Sequence, residues 1–227
     1  MKKTILTLVC AIAALSVSAQ RASSSSSSFF STEKADNPVT FSIRGGVNFS
    51  NLAIEGESWD SHTGFHAGVN VDIPLLQSLY LSTGLYYTVK GFSSDYTQEE
   101  GEYKVERKAS ANYLEIPVLA SYRYNFSDNA QLQVNVGPYF AYGIGGKIKY
   151  TAHEYHSSKG WVIDAEGEND YFEHDDNKFD VGLQIGAGVT FVKHIYLGLA
   201  YEFGFINVVP DYKTKNRNFM ISLGYQF

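Results

Sequence analysis

Apolar residues recur at every second position in eight stretches of this chain. The first covers about residues 40–48, with Phe41, Ile43, Val47 and Phe49 on one face. The next show Phe65, Ala67, Val69, Val71 and Ile73, then Leu81, Thr83, Leu85, Tyr87 and Val89. The fourth carries Leu114, Ile116, Val118, Ala120 and Tyr122; the fifth Leu132, Val134, Val136, Pro138, Phe140 and Tyr142. The sixth shows Val181, Leu183, Ile185, Ala187, Val189 and Phe191, and the seventh Leu197, Leu199, Tyr201, Phe203 and Phe205. The last runs Phe219, Ile221, Leu223, Tyr225 and Phe227. Period two is the mark of a strand with two unlike faces. Pro117 and Pro138 fall inside strands, and since proline removes a ladder donor, bulges or kinks are expected there.

The intervening face holds the charges Arg44, Asp72, Lys90, Glu115, Arg123, Asp180 and Glu202, together with His66 and most of the strand glycines. Alternation alone does not say which face points inward, and a soluble ligand-carrying barrel would turn the apolar face in. Three features choose the opposite sense. Glycines crowd the polar face, as a narrow interior requires. Aromatics gather at the ends of the apolar rows, as in the interfacial girdles of membrane strands. The last row runs out to an aromatic residue. A Lys or Arg facing lipid at mid-membrane costs about 2–4 kcal/mol, which gives the clean partition a physical reason. The expected fold is all-β, an eight-stranded antiparallel up-and-down transmembrane β-barrel over residues 39–227.

Connections alternate in length. Short ones fall near 74–78, 125–130 and 192–194; long ones near 51–62, 91–111, 147–177 and 207–217. Short turns on one side and long loops on the other are the asymmetry of outer-membrane barrels, so the termini are expected in the periplasm and the long loops outside the cell. Upstream, Lys2 and Lys3, an apolar run over 5–17 and the small residues Val17-Ser18-Ala19 read as a signal peptide over 1–19. Residues 20–38 read as a flexible segment around an unbroken serine run at 23–28. Cys10, the one cysteine, lies in the leader, so the mature chain is expected to have no disulfide or thiolate site. The formal charge of -6 argues against a nucleic-acid partner.

Tyr113-Leu114-Glu115-Ile116-Pro117, Gly137-Pro138-Tyr139-Phe140 with Gly143-Ile144-Gly145-Gly146, and Phe179-Asp180-Val181-Gly182 with Gly186-Ala187-Gly188 resemble the motif blocks of the PorT-like outer-membrane β-barrel family. The resemblance covers nearly all of the mature chain. It implies an eight-stranded barrel in the bacterial outer membrane, often labelled a porin family protein. Members named for PorT take part in protein secretion, but the shared blocks are strand positions and carry no chemistry. The terminal row, Phe219, Ile221, Leu223, Tyr225 and Phe227, resembles the signal read by the barrel-assembly machinery.

Candidate chemistry changes this picture little. An eight-stranded barrel is just wide enough for its own side chains, so the seven interior charges are expected to pair into a structural network rather than line an open pore. His153, Glu154, His156, Glu173, His174, Asp175 and Asp176 offer metal-ligand chemistry, but the spacing matches no established zinc motif and a solvated acidic loop is the simpler reading. The histidines are scattered and no serine lies on a Gly-x-Ser-x-Gly turn, so no catalytic residue, cofactor or metal is assigned. Trp59, Tyr96, Tyr103, Tyr155, Trp161, Tyr171, Phe172 and Tyr212 are expected as exposed loop aromatics. The expected function is non-enzymatic: a small integral outer-membrane protein acting structurally or through its loops. The expected partners are outer-membrane lipid, the assembly machinery and, through the loops or the periplasmic face, an extracellular or periplasmic protein. The alternatives are a PorT-like secretion component, a narrow solute or ion channel, and a lipid-modifying enzyme.

Overall fold

The computed structural model describes residues 38–54, 57–58, 60–97, 103–156, 160–172, 177–208 and 214–227. The expected leader with Cys10, the serine-rich segment up to residue 37, Trp59, Tyr212 and the ligand-bearing run 173–176 lie outside the described residues.

Ten strands form one antiparallel sheet: β1 (Thr40–Ile54), β2 (Glu57–Ser58), β3 (Asp60–Pro74), β4 (Leu79–Thr97), β5 (Tyr103–Ser127), β6 (Ala130–His156), β7 (Gly160–Asp170), β8 (Phe179–Phe191), β9 (Ile195–Asn207) and β10 (Lys215–Gln226). Neighbours in sequence are neighbours in the wall, and β10 pairs with β1 from Ser42↔Gln226 to Ala53↔Lys215, which closes the ring. The two-residue β2 and the outlying β7 stand off the ring, leaving a barrel of eight strands. Closure leaves no open edge in the wall, so its ladders pair the backbone without water except at the pairs skipped beside Pro117 and Pro138.

The alternation sets the faces. Phe41, Ile43, Val69, Leu85, Ile116, Val136, Ile185, Leu199 and Leu223 point outward and are exposed. At the long-loop end Phe49, Phe65, Tyr87, Tyr142, Phe179 and Phe205 form an aromatic ring, with Phe65 and Tyr87 5.8 Å apart. At the short-turn end Phe41, Tyr124, Phe126, Phe191, Tyr225 and Phe227 form another. Between the two rings the described wall residues turn no charge outward except Arg217, which stands over Phe203 at the edge of the outer ring, and the rest is the apolar band that lipid requires.

Three expectations change. The long connections over 91–111 and 147–177 are mostly strand: β4 runs to Thr97, β5 starts at Tyr103, β6 runs to His156 and β7 follows. At 25 and 27 residues, β5 and β6 are more than twice the length that crosses a bilayer. Beyond the apolar residues at the barrel mouth, past Ala109 on β5 and Ile148 on β6, no described residue of these strands is buried, so the apolar alternation that marks a wall strand is lost. Second, the prolines produce no bulge. Around Pro117 the β4–β5 ladder skips two pairs and resumes in register, and around Pro138 the β5–β6 ladder does the same. Thr83 Oγ1 donates to Pro117 O at 2.7 Å. The bulges fall instead between Asn112 and Tyr113, where Ile144 on the facing strand is the extra residue, and near Phe126. Third, Tyr171 is buried and Phe172 half-buried, because the stretch after β7 turns into the barrel mouth.

Candidate functional site

Among the described residues the interior concentrates the ionisable side chains, and all seven expected charges lie there, each buried. They form two separate layers. Near the short turns, Asp72 on β3 receives both arginines: Arg123 Nη2 lies 2.6 Å and Arg44 Nη2 3.3 Å from its Oδ2. Asn70 donates to Asp72 Oδ1 at 2.9 Å, and Arg44 Nε donates to Ser42 at 3.2 Å. Each guanidinium also lies over a tyrosine, Arg44 on Tyr196 and Arg123 on Tyr80, both at 4.1 Å. Stacking and pairing together offset the desolvation of three charges.

Nearer the long loops, Lys90 on β4 holds three carboxylates from three strands. Its Nζ lies 2.8 Å from Glu115, 2.9 Å from Glu202 and 3.7 Å from Asp180. Tyr139 and Asn216 each donate to Asp180 Oδ2 at 3.0 Å, and Asn218 donates to Glu202 Oε2 at 3.0 Å. The ammonium also lies 4.4 Å from the Tyr139 ring. One cation thus ties β4 to β5, β8 and β9 across the lumen.

Above this layer the mouth is apolar. Leu52, Ala109, Ala111, Tyr113, Tyr139, Ala141, Tyr171 and Val208 form a buried cluster, with Phe92, Ile148 and Phe172 packed on it. The Tyr171 and Phe172 rings meet at 4.9 Å, Phe172 meets Tyr113 at 5.8 Å, and Tyr171 N donates to Gly146 O at 3.0 Å. The lumen is therefore closed by two charged layers and one apolar layer.

Between the charged layers lies a small chamber lined by Arg44, His66, Tyr86, Asn135, Gln184 and Ser222, among others. Its space open to water centres is about 40 Å³, room for about two or three waters. His66 spans it: one ring nitrogen lies 2.5 Å from Asn48 Oδ1 and the other 2.8 Å from Ser222 Oγ. Serine, imidazole and amide in this order have the connectivity of a nucleophile, a base and an orienting group. The chamber has no room for an ester substrate, and Asn48 is tied to the carbonyls of Phe65 and Val89 at 3.2 Å. The line fills the interior with satisfied polar groups.

The pattern of alternation missed the interior tyrosines. Tyr80, Tyr86, Tyr113, Tyr139 and Tyr196 all face inward and are buried. Several lie flat on glycines of the wall. A Cβ at Gly188 or Gly198 would overlap the Tyr196 ring or hydroxyl, one at Gly68 would overlap Tyr86, and one at Gly182 would overlap Tyr139. The signal was in the sequence: inward glycines in a narrow barrel mark the beds of large inward rings. Tyr113 and Tyr139 belong to the blocks Tyr-Leu-Glu-Ile-Pro and Gly-Pro-Tyr, so those motifs are the floor of the mouth and the contacts of Lys90.

Of the loop ligands, His156 lies 3.3 Å from Glu154 and His153 3.9 Å from Glu106. No group of three ligating side chains forms among the described residues. Tyr96, Tyr103, Tyr155 and Trp161 are exposed. The C-terminal row Phe219, Ile221, Leu223, Tyr225 and Phe227 lies outward on the seam beside β1, and Phe227 N donates to Phe41 O at 2.9 Å.

Among solved structures, the chain is similar to the attachment invasion locus protein Ail of Yersinia pestis, at 15% identity over 83% of this chain and 98% of that one, with a TM-score of 0.40. It is similar to OprG of Pseudomonas aeruginosa at 14% identity over 86% and 97%, TM-score 0.36. It is also similar to the neisserial surface protein NspA at 13% identity over 84% and 98%, TM-score 0.35. No curated protein matches the sequence. Residues 19–209 match the family model described as outer membrane protein beta-barrel domain, and the chain belongs to that family of bacterial outer-membrane barrels.

Proposed function

We propose that this protein is a closed, non-enzymatic outer-membrane barrel whose working part is the sheet that projects from its long-loop end, on the outside of the cell. The observation that carries this is a contrast within one molecule. The lumen is filled by two ion-pair layers and an apolar cap, while β4, β5 and β6 run far past the outer aromatic ring and β7 joins them there. Strand length that lipid does not need is kept for something else, and projecting segments on a rigid scaffold are where binding is placed. The seven interior charges serve as braces of the barrel, and the row from Phe219 to Phe227 serves assembly.

The test replaces residues 91–111 and 147–177 by short turns. The shortened barrel should keep heat-modifiable migration on SDS gels, yet cells carrying it should attach less to protein-coated surfaces than cells carrying the full chain. Equal attachment would sink the reading. The secretion role implied by the PorT-like blocks has no support of its own in the interior, where those blocks form wall and floor. It predicts retained cargo on deletion, which the same strains would reveal.

A further inference from the structure

We propose that the outer edge of β7 docks an extended segment of a partner protein that carries basic side chains at every second position. This rests on the reading of the projecting sheet as the interaction surface. β7 pairs with β6 along one edge, from Lys147↔Asp170 to His156↔Gly160, and no described strand pairs with the other. An open edge offers a row of backbone donors and acceptors, the template for strand addition.

Charge selects the occupant. In the register with β6, Glu166 stands opposite Thr151, Glu168 opposite Lys149 and Asp170 opposite Lys147, so these three carboxylates share one face; Asp164 is the bulged residue beside them. Glu168 is satisfied from within: Lys147 pairs with it and Lys149 lies 3.7 Å away, and together they hold its carboxyl below the ordinary range. Asp164, Glu166 and Asp170 are exposed and make no ion pair among the described residues. A second copy of this chain pairing edge to edge would set carboxylate against carboxylate, which is destabilising. A strand with Lys or Arg at alternate positions meets the opposite situation and gains both ladder bonds and charge pairing.

The tip supplies an anchor. Trp161 and Ile163 lie on the same face as Glu166 and Glu168, and the Trp161 ring meets Tyr155 at 5.4 Å. Both are about half exposed, at 46% and 54%. One bulky apolar side chain near the end of the partner segment would fix its register there, and the basic positions follow toward the membrane.

Trp161 also reports the binding. The chain has two tryptophans, so Trp59→Phe leaves Trp161 as the fluorophore. This full-length variant, folded in zwitterionic detergent, is titrated with three end-capped peptides. One alternates threonine and lysine, one is the same peptide N-methylated at alternate residues, and one alternates threonine and glutamate. A saturable change is expected with the first, with affinity weaker by about tenfold or more for the other two. The combined variant Asp164→Lys, Glu166→Lys and Asp170→Lys should reverse the preference between lysine and glutamate peptides. It keeps heat-modifiable migration, because these residues stand outside the barrel.

Equal binding of the N-methylated peptide would mean charge attraction without strand pairing and would overturn the proposal. So would an unchanged preference in the combined variant, or no saturable signal with the lysine peptide. If the peptides fail while removal of residues 91–111 and 147–177 still reduces attachment, the edge assignment alone falls. If that removal has no effect, the broader reading falls with it.

Discussion

Lys90 is the residue on which the interior turns. It is 1% exposed and shares its ammonium among three carboxylates. Lys90→Met keeps most of the volume and leaves those carboxylates buried without their cation. The expected loss is about 3–5 kcal/mol, read from the urea midpoint of unfolding in lipid vesicles. Adding Glu115→Gln and Glu202→Gln to Lys90→Met should recover a large part of it, since removing both sides of a buried pair is far cheaper than removing one. Tyr196 gives a second test at this scale. Gly198→Val places a branched side chain where the Tyr196 hydroxyl lies, and the ring cannot then stay over Arg44. The variant should lose heat-modifiable migration at a lower temperature than the parent. The seven charges were legible in the sequence because each sits at the polar phase of an alternating row. The five interior tyrosines were not. Tyr87, Tyr142 and Tyr225 occupy the lipid face while Tyr80, Tyr139 and Tyr196 occupy the lumen, so the residue type alone does not report a side. A phenol has an apolar ring for either surface and a hydroxyl for either kind of partner.

Among the elements, the wall strands were legible and the projecting ones were not. Lipid on one side and a packed lumen on the other write a period of two into residues such as Leu132, Val134 and Val136. Past Ala109 and Ile148 no described residue of β5 or β6 is buried, and Lys108 and Lys149 satisfy either face equally well. The prolines misled for a related reason. A missing donor need not shift a register when the neighbouring pairs on both sides hold it, as at Pro117. The β8–β9 turn carries a local cost of its own. Val192 and Lys193 have φ of 50° and 65°, the left-handed region that the tight turn from Phe191 to His194 demands of its two central residues and that a β-branched residue resists. The turn is held by Val192 N donating to Asn129 O at 2.6 Å and His194 N to Phe191 O at 3.0 Å. Val192→Asn with Lys193→Gly should raise stability by about 1–2 kcal/mol, seen as a higher urea midpoint.

At the scale of the whole molecule, the three closures of the lumen predict a silent barrel. Purified protein in planar bilayers should give no unitary steps at neutral pH, and reproducible steps from the unmodified chain would show that the layers open. The ring also has one seam, where β1 meets β10, and Phe227 lies at its short-turn end. Phe227→Ala should slow the appearance of the fast-migrating folded form during refolding into vesicles, because the seam then lacks an aromatic at the lipid interface. The continuity of β5 and β6 from wall to projection has a mechanical consequence. About ten residues of β5 stand clear of the apolar band, a reach of about 33 Å along the strand. The bulge at Ile144 bends them where they leave the wall without ending either strand, so the projection behaves as a raked mast stepped in a hull rather than a rope tied to it. A load applied at its tip is carried as shear into the hydrogen-bond ladders of the barrel, and a cell held by such masts would feel drag as torque on its envelope.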